Sequence, residues 1–129
     1  MAYQNFTDLD VYKECRQFRM AISLLVKARF PPDEKFRLAD QILRSSRSIT
    51  ANIAEGHGRY YYKENIRFCR ISRASLFETL EHLITAFDEK YISDEQLVDY
   101  KAKVDLCGRL LNGYINFLKK QQKPREEDG

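Results

Sequence analysis

The sequence predicts an all-α protein, an antiparallel up-down-up-down four-helix bundle. Four stretches repeat apolar residues at spacings of three and four, short connections join them, and no stretch alternates apolar with polar residues as a strand does. The 129 residues suit one domain, and 43% hydrophobic against 32% charged residues, with 5 Gly and 3 Pro, is enough to bury a core. We place a single bundle at residues 1–120 and a polar, aperiodic tail carrying Pro124, expected to be disordered, at 121–129.

The first helix has the line Val11, Cys15, Phe18, Ile22 and Leu25, opened by Thr7-Asp8-Leu9-Asp10 as a weak capping box. It stops at Pro31-Pro32, because proline lacks the N–H and clashes with the preceding turn. Asp33 is placed to cap a second helix along Ala39, Ile42, Ser46, Ile49 and Ile53, with Gly56 and Gly58 ending it in the left-handed conformation. A third helix is expected from about Arg59 to Glu89, with Ile66, Cys69, Leu76, Leu80, Leu83 and Phe87 inside. Arg73 interrupts that line, so Ser72 and Ser75 should turn inward and leave Arg73 at the rim.

The fourth helix, placed at 93–121, has the most regular stripe: Leu97, Tyr100, Val104, Cys107, Leu111, Tyr114 and Leu118. Ser93 and Gln96 form a capping box at its start, each accepting from an otherwise unpaired N–H. Leu106, Leu110 and Phe117, with Gly113 between them, make a second apolar flank, read either as a wide core face or as a self-association surface. Cys15, Cys69 and Cys107 are far apart and fall on or beside the apolar lines, so they are expected as small buried core residues without a disulfide framework.

The net charge is only +3, but it is unevenly spread. Residues 35–75 hold nine basic and three acidic side chains, whereas residues 76–99 hold one and seven. Arg44, Arg47, Arg59, Lys63, Arg67 and Arg70 are expected on one half of the rod. Positions 59, 63, 67 and 70 form one helical stripe beside Tyr60, Tyr61 and Tyr62. Cations among aromatic faces suit phosphates and unpaired bases, so this surface is a candidate RNA or DNA site. A solvated helix face, or a patch pairing with the acidic half of a neighbouring subunit, is the alternative.

On the second helix Arg44, Ser48, Asn52 and Glu55 recur at intervals of four, four and three, and Arg59 follows the turn. Hydrogen bonding among these five would make a clasp fixing the turn between helices two and three, with Glu55 accepting from the fork of Arg59 or Arg44. The run Asn52-Ile53-Ala54-Glu55-Gly56, followed by Gly58-Arg59, resembles the signature of the proteins encoded in intervening sequences of bacterial 23S rRNA genes, a family also labelled "S23 ribosomal protein". The likeness extends from Phe6, Leu9 and Val11 through Phe30-Pro31, Gln41, Arg44, Ser48 and Ile49 to Ser75-Leu76-Phe77-Glu78. Thr50 stands where proline is common and Ala74 where glycine precedes the serine; the first should leave helix two straighter, and the second weakens the expectation of closest packing near Ser75.

The resemblance implies a left-handed bundle assembling into a homo-oligomeric ring, a pentamer, in a bacterial cytoplasm, and does not imply catalysis. Its architecture is also similar to basic ring-shaped accessory proteins of diversity-generating retroelements, which engage nucleic acid and a reverse transcriptase; that is analogy of fold alone. From the residues, no apolar run reaches the roughly 18 needed for a membrane span, and the opening Met-Ala-Tyr-Gln-Asn lacks signal-peptide order. A di-iron bundle needs two Glu-x-x-His pairs, but His82 lies four after Glu78 with no second pair and is expected as a surface histidine. His57, between two glycines and positioned to meet a partner, has no evident nucleophile and orienting carboxylate around it. The expectation is a non-enzymatic adaptor with no cofactor, metal or small-molecule substrate. It either binds RNA or DNA or acts as a structural, protein-interacting ring.

Overall fold

The computed structural model describes residues 5–122, and within them every regular element is helical. Two short 3-10 turns, Phe6–Asp8 and Pro32–Glu34, precede the first two of four helices: α1 (Asp10–Arg29), α2 (Leu38–His57), α3 (Tyr62–Asp88) and α4 (Asp94–Gln121). Helix α4 runs through Gln121, one residue into the expected tail, and residues 123–129 of that tail lie outside the described part.

Each helix packs against its neighbours in the chain, and α4 closes on α1. Across α2 and α3, Ser45 meets Thr79, Ser48 meets Ser75, and Gly56 meets Asn65 and Phe68, so partner numbers fall as residue numbers rise and the two run in opposite directions. The bundle buries Ile22, Ile42, Ile49, Ile53, Leu76, Leu83 and Leu111 completely. These residues occupy the three-and-four-spaced lines read from the sequence, since removing that stripe from water is what holds amphipathic helices together. Leu80, Phe87 and Tyr114 are only partly buried, while Ile115 is a core residue that the predicted stripe omits.

The helix ends differ in several places from expectation. Asn5, not Thr7, caps the first 3-10 turn, and α1 then starts at Asp10 with no side-chain cap. Asp33 does not cap α2; its neighbour Glu34 accepts the Leu38 N–H at 3.2 Å. Pro31 and Pro32 do stop α1, whose last residue is Arg29. The Ser93–Gln96 capping box forms with both hydrogen bonds.

Neither Gly56 nor Gly58 is left-handed: Gly56 is a buried helical residue and Gly58 has φ −78°. Space, not φ, requires glycine at 56, because a Cβ there would lie 2.7 Å from Asn65 Oδ1 and 2.9 Å from Phe68 Cβ. The left-handed closure sits instead at Lys90, φ 65°, after α3. Lys90 N–H donates to Phe87 O and Tyr91 N–H to Ala86 O, a Schellman arrangement that satisfies the carbonyls at the helix end.

All three cysteines are free thiols in the core. Burial pushes the Cys69 thiol up to about 12, and contact with the Cys107 thiol together with burial raises Cys15. These groups are small packing residues, as their place on the apolar lines indicates.

Candidate nucleic-acid interface

The α2–α3 seam is polar, and its register positions everything around it. Ser45 and Thr79 hydroxyls are 2.7 Å apart, Ser48 and Ser75 are 2.8 Å apart, and Ser72 Oγ donates to the Ile49 carbonyl at 2.7 Å. Short hydroxyl side chains let the helices approach closely while every buried polar group keeps a partner. Among the described residues no buried side-chain nitrogen or oxygen lacks a hydrogen bond. Ser72 and Ser75 thus turn inward and Arg73 stays at the rim, donating to Asn112 of α4 at 2.7 Å.

The expected five-residue clasp divides into three. Asn52 Nδ2 donates to Ser48 O at 2.8 Å and Ser48 Oγ at 2.9 Å, which ties both to Ser75. Glu55 pairs separately with Arg59 at 3.0 Å, and Glu64 lies 4.0 Å from the same guanidinium. Arg44 takes no part, pairing with Asp40 one turn back at 3.2 Å on the exposed side. Glu78 binds His82 at 3.2 Å, outside the clasp, and His82 is only 15% exposed, so it is not the surface histidine expected. Thr50, at the proline-preferring position, accepts from Arg19 at 2.9 Å and joins α1 to α2. Ala74 is on the outer face and leaves the Ser75 contact undisturbed.

The basic residues are also redistributed. Ser45 and Ser48 fix Arg44 and Arg47 level with residues 75–80 of α3, roughly 8 to 20 Å along the rod from Arg70 and Arg67 at ~1.5 Å per residue. Arg47 moreover borders Arg19 and Met20 on the α1 side. The structure therefore does not gather the six cations on one patch: α3 alone carries Lys63, Arg67 and Arg70 in a line, with Arg59 just ahead of it.

What the structure does assemble is an aromatic cleft of about 270 Å³ at the end of the bundle where α2 finishes and α3 begins. Tyr60, Tyr61 and Tyr62 meet His57, Arg59, Asn65, Tyr114 and Phe117 there. Tyr60 is 85% exposed, with its ring edge-on to Tyr61 at 4.8 Å. Tyr114 and Phe117 stack at 6.3 Å and 15°, and Asn65 Nδ2 donates to the Tyr114 hydroxyl at 3.3 Å. Burial raises the Tyr114 phenol above its ordinary value. Arg59 lies over the Phe68 ring at 4.8 Å, and the last turn of α4 adds Lys119 and Lys120 at this end.

Sequence reasoning found the tyrosine triplet but missed Tyr114, Phe117 and the two lysines. Their signal was the second apolar flank, which ends at Phe117, 53% exposed, and runs into a basic last turn of α4. Gly113, where a close backbone approach was considered, has nothing within 4 Å of the position a Cβ would take. Of that flank Leu110 packs onto the core while Leu106 and Phe117 stay exposed, so it is partly a wide core face. No helix of the described residues is long and apolar enough to cross a membrane.

A four-helix bundle with a hydroxyl-lined α2–α3 seam and a glycine-dependent helix junction defines the class of protein. The chain belongs to the 23S rRNA-intervening sequence protein family, whose model matches residues 7–113. It is similar to a protein of unknown function from the S23 ribosomal protein family of Bacteroides thetaiotaomicron VPI-5482, known from a 1.70 Å crystal structure. The two share 27% sequence identity over 82% of this chain and 95% of that chain, with a TM-score of 0.75. No curated protein matches the sequence.

Proposed function

We propose that the protein is a non-enzymatic, self-associating bundle module that binds unpaired nucleotides of RNA or DNA at the aromatic end of the rod. The observation that carries this reading is Tyr60, 85% exposed beside Tyr61 in a cleft also lined by Tyr114 and Phe117. Exposed aromatic rings are costly to hydrate and offer faces on which bases stack, worth about 1–3 kcal/mol per base. Lys119 and Lys120, in the last turn of α4 just after the cleft residue Leu118, supply positive charge for the flanking phosphates. Arg59 is already held between two carboxylates, Arg67 and Arg70 lie beyond the cleft on the outer face of α3, and Arg44 and Arg47 are remote from it. The ring of five subunits that the resemblance implies belongs to this reading, since several clefts on one assembly would engage one nucleic acid with greater avidity.

The test is a fluorescence anisotropy titration of a structured RNA with unpaired loops, a single-stranded DNA and a DNA duplex at several salt concentrations. The reading expects the loops and single strands to bind more tightly than the duplex, with log affinity falling against log salt at a slope of about −1.4 for two phosphate contacts at ~0.7 each. Absence of binding at low salt would replace it with the other reading, a structural or protein-interacting ring.

A further inference from the structure

We propose that the groove between α1 and α2 carries the phosphodiester backbone of a strand whose unpaired base stacks in the aromatic cleft; the proposal rests on nucleic acid being the cleft's ligand. Arg19 Nη1 donates to Thr50 Oγ1 at 2.9 Å and sets the register of the two helices. Toward the middle of the rod Met20 and Ser23 face Leu43, Ser46 and Arg47 around a groove of about 420 Å³. Toward its end the Phe6 ring lies 5.0 Å from Tyr12 and 6.4 Å from His57, and His57 lines the cleft. The groove therefore leads out of the cleft, and from His57 to Arg47 it runs for roughly 15 Å at ~1.5 Å per residue.

One sign of charge lines this groove. On α1 the residues Arg16, Arg19, Ser23 and Lys27 recur at spacings of three, four and four, and Arg47 stands opposite on α2. No acidic residue occurs from Cys15 to Pro32 or from Gln41 to Ala54. The nearest carboxylates are paired or turned away: Asp40 meets Arg44 and Glu55 meets Arg59, while Glu14 lies two turns before Ala21, whose carbonyl faces Tyr100 of α4. Such a groove, with low-dielectric walls, focuses its field on an anion. Among the described residues the Arg16 and Arg47 guanidiniums and the Ser23 hydroxyl have no hydrogen-bond or ion-pair partner. Arg19, fixed by Thr50 through one amino group, keeps its other N–H groups for a ligand. Guanidinium forks bind phosphate oxygens through paired N–H groups, and the short, buried side chains of Ser46 and Thr50 leave the floor clear for a strand. An acidic protein helix would answer the charge but not the aromatic cleft into which the groove opens, whereas a single strand answers both.

Fluorescence anisotropy of the full chain with oligothymidylates of about three and about twelve nucleotides, over a salt series, tests the track. The short strand reaches the cleft alone and should keep the slope of about −1.4, whereas the long strand should reach about −3.5, ~0.7 more for each of Arg16, Arg19 and Arg47. Arg16→Gln with Arg47→Gln, both at exposed sites, should return the long strand to about −2.1 and lower its affinity about tenfold at low salt, leaving the short strand unchanged. Tyr60→Ala should weaken both strands and preserve the difference between their slopes. Equal slopes for the two lengths, or a double variant that folds by circular dichroism yet binds the long strand as the wild type does, would overturn the proposal. Oligoglutamate of matched charge that displaces the long strand as well as unlabelled oligothymidylate does would also overturn it and assign the groove to an acidic protein. Indifference of both strands to Tyr60→Ala, with the slope difference intact, would refute stacking in the cleft and leave the groove, so the two readings fail separately.

Discussion

Ser48 Oγ and Ser75 Oγ meet at 2.8 Å across the α2–α3 seam, and Asn52 holds Ser48 from behind through its side-chain amide. This contact fixes the register of the two helices and, through it, the level at which α3 starts beside the end of α2. The aromatic cleft depends on that register, because Tyr60, Tyr61 and Tyr62 occupy the turn between the two helices and the beginning of the second.

Thr79→Val should test the worth of the seam. It removes the partner of Ser45 but keeps the shape, and Ser45 Oγ still reaches the Ile42 carbonyl at 3.2 Å. The expected cost is about 0.5–1.5 kcal/mol in urea unfolding, with an unchanged slope. Ser75→Leu, by contrast, forces a branched side chain into a 2.8 Å contact and should cost about 1–3 kcal/mol or more.

Gly56→Ala should destabilise the protein by about 1–3 kcal/mol, despite alanine's higher helix propensity, because the new Cβ collides with Asn65 and Phe68 of α3. Thermal unfolding checks the sign. A rise in melting temperature would mean that the junction has slack.

Lys90→Gly should act in the opposite direction. Lys90 is the one described non-glycine residue at positive φ, and glycine adopts that conformation without the Cβ penalty. Stability should rise by about 1 kcal/mol, read as a higher urea midpoint.

Tyr91→Phe should alter the pH dependence of stability. The Tyr91 hydroxyl donates to Glu34 at 2.6 Å, which holds the Glu34 carboxyl below its ordinary range and pushes the phenol up to about 12. A carboxyl depressed on folding contributes fully above its unfolded pKa and loses that contribution as pH falls through the folded value. A phenol raised on folding contributes fully below its unfolded pKa near 10 and loses it as pH rises toward about 12. The wild type's advantage over Tyr91→Phe should therefore be flat between about pH 6 and 9 and shrink at both extremes, as read by melting temperature in a buffer series.

The four apolar lines were legible because burial imposes a period, and Ser93 and Gln96 were legible because a capping box is local. The junctions were less so. Glycine at 56 reads as a helix terminator, yet its reason is a neighbour nine residues away in Asn65, which only the packed structure brings close. Glu34 takes the capping role assigned to Asp33 because a 3-10 turn intervenes before α2 begins. At the candidate site the tyrosine triplet was contiguous and visible, whereas Tyr114 and Phe117 join it from the far end of the chain. The grouping of Arg44 and Arg47 with Arg67 and Arg70 failed for a related reason: sequence places them on consecutive helices but does not give the register that separates them along the rod.

The central claim is that unpaired nucleotides stack in the aromatic cleft, and the most direct measurement is photochemical cross-linking of a single-stranded oligonucleotide to the full-length protein, followed by peptide mass spectrometry. The account predicts cross-links on Tyr60, Tyr61 or Phe117, lost together with most of the affinity in Tyr60→Ala, whose exposed site should leave stability within about 0.5 kcal/mol. Cross-links confined to residues outside the cleft, or undiminished in Tyr60→Ala, would contradict it.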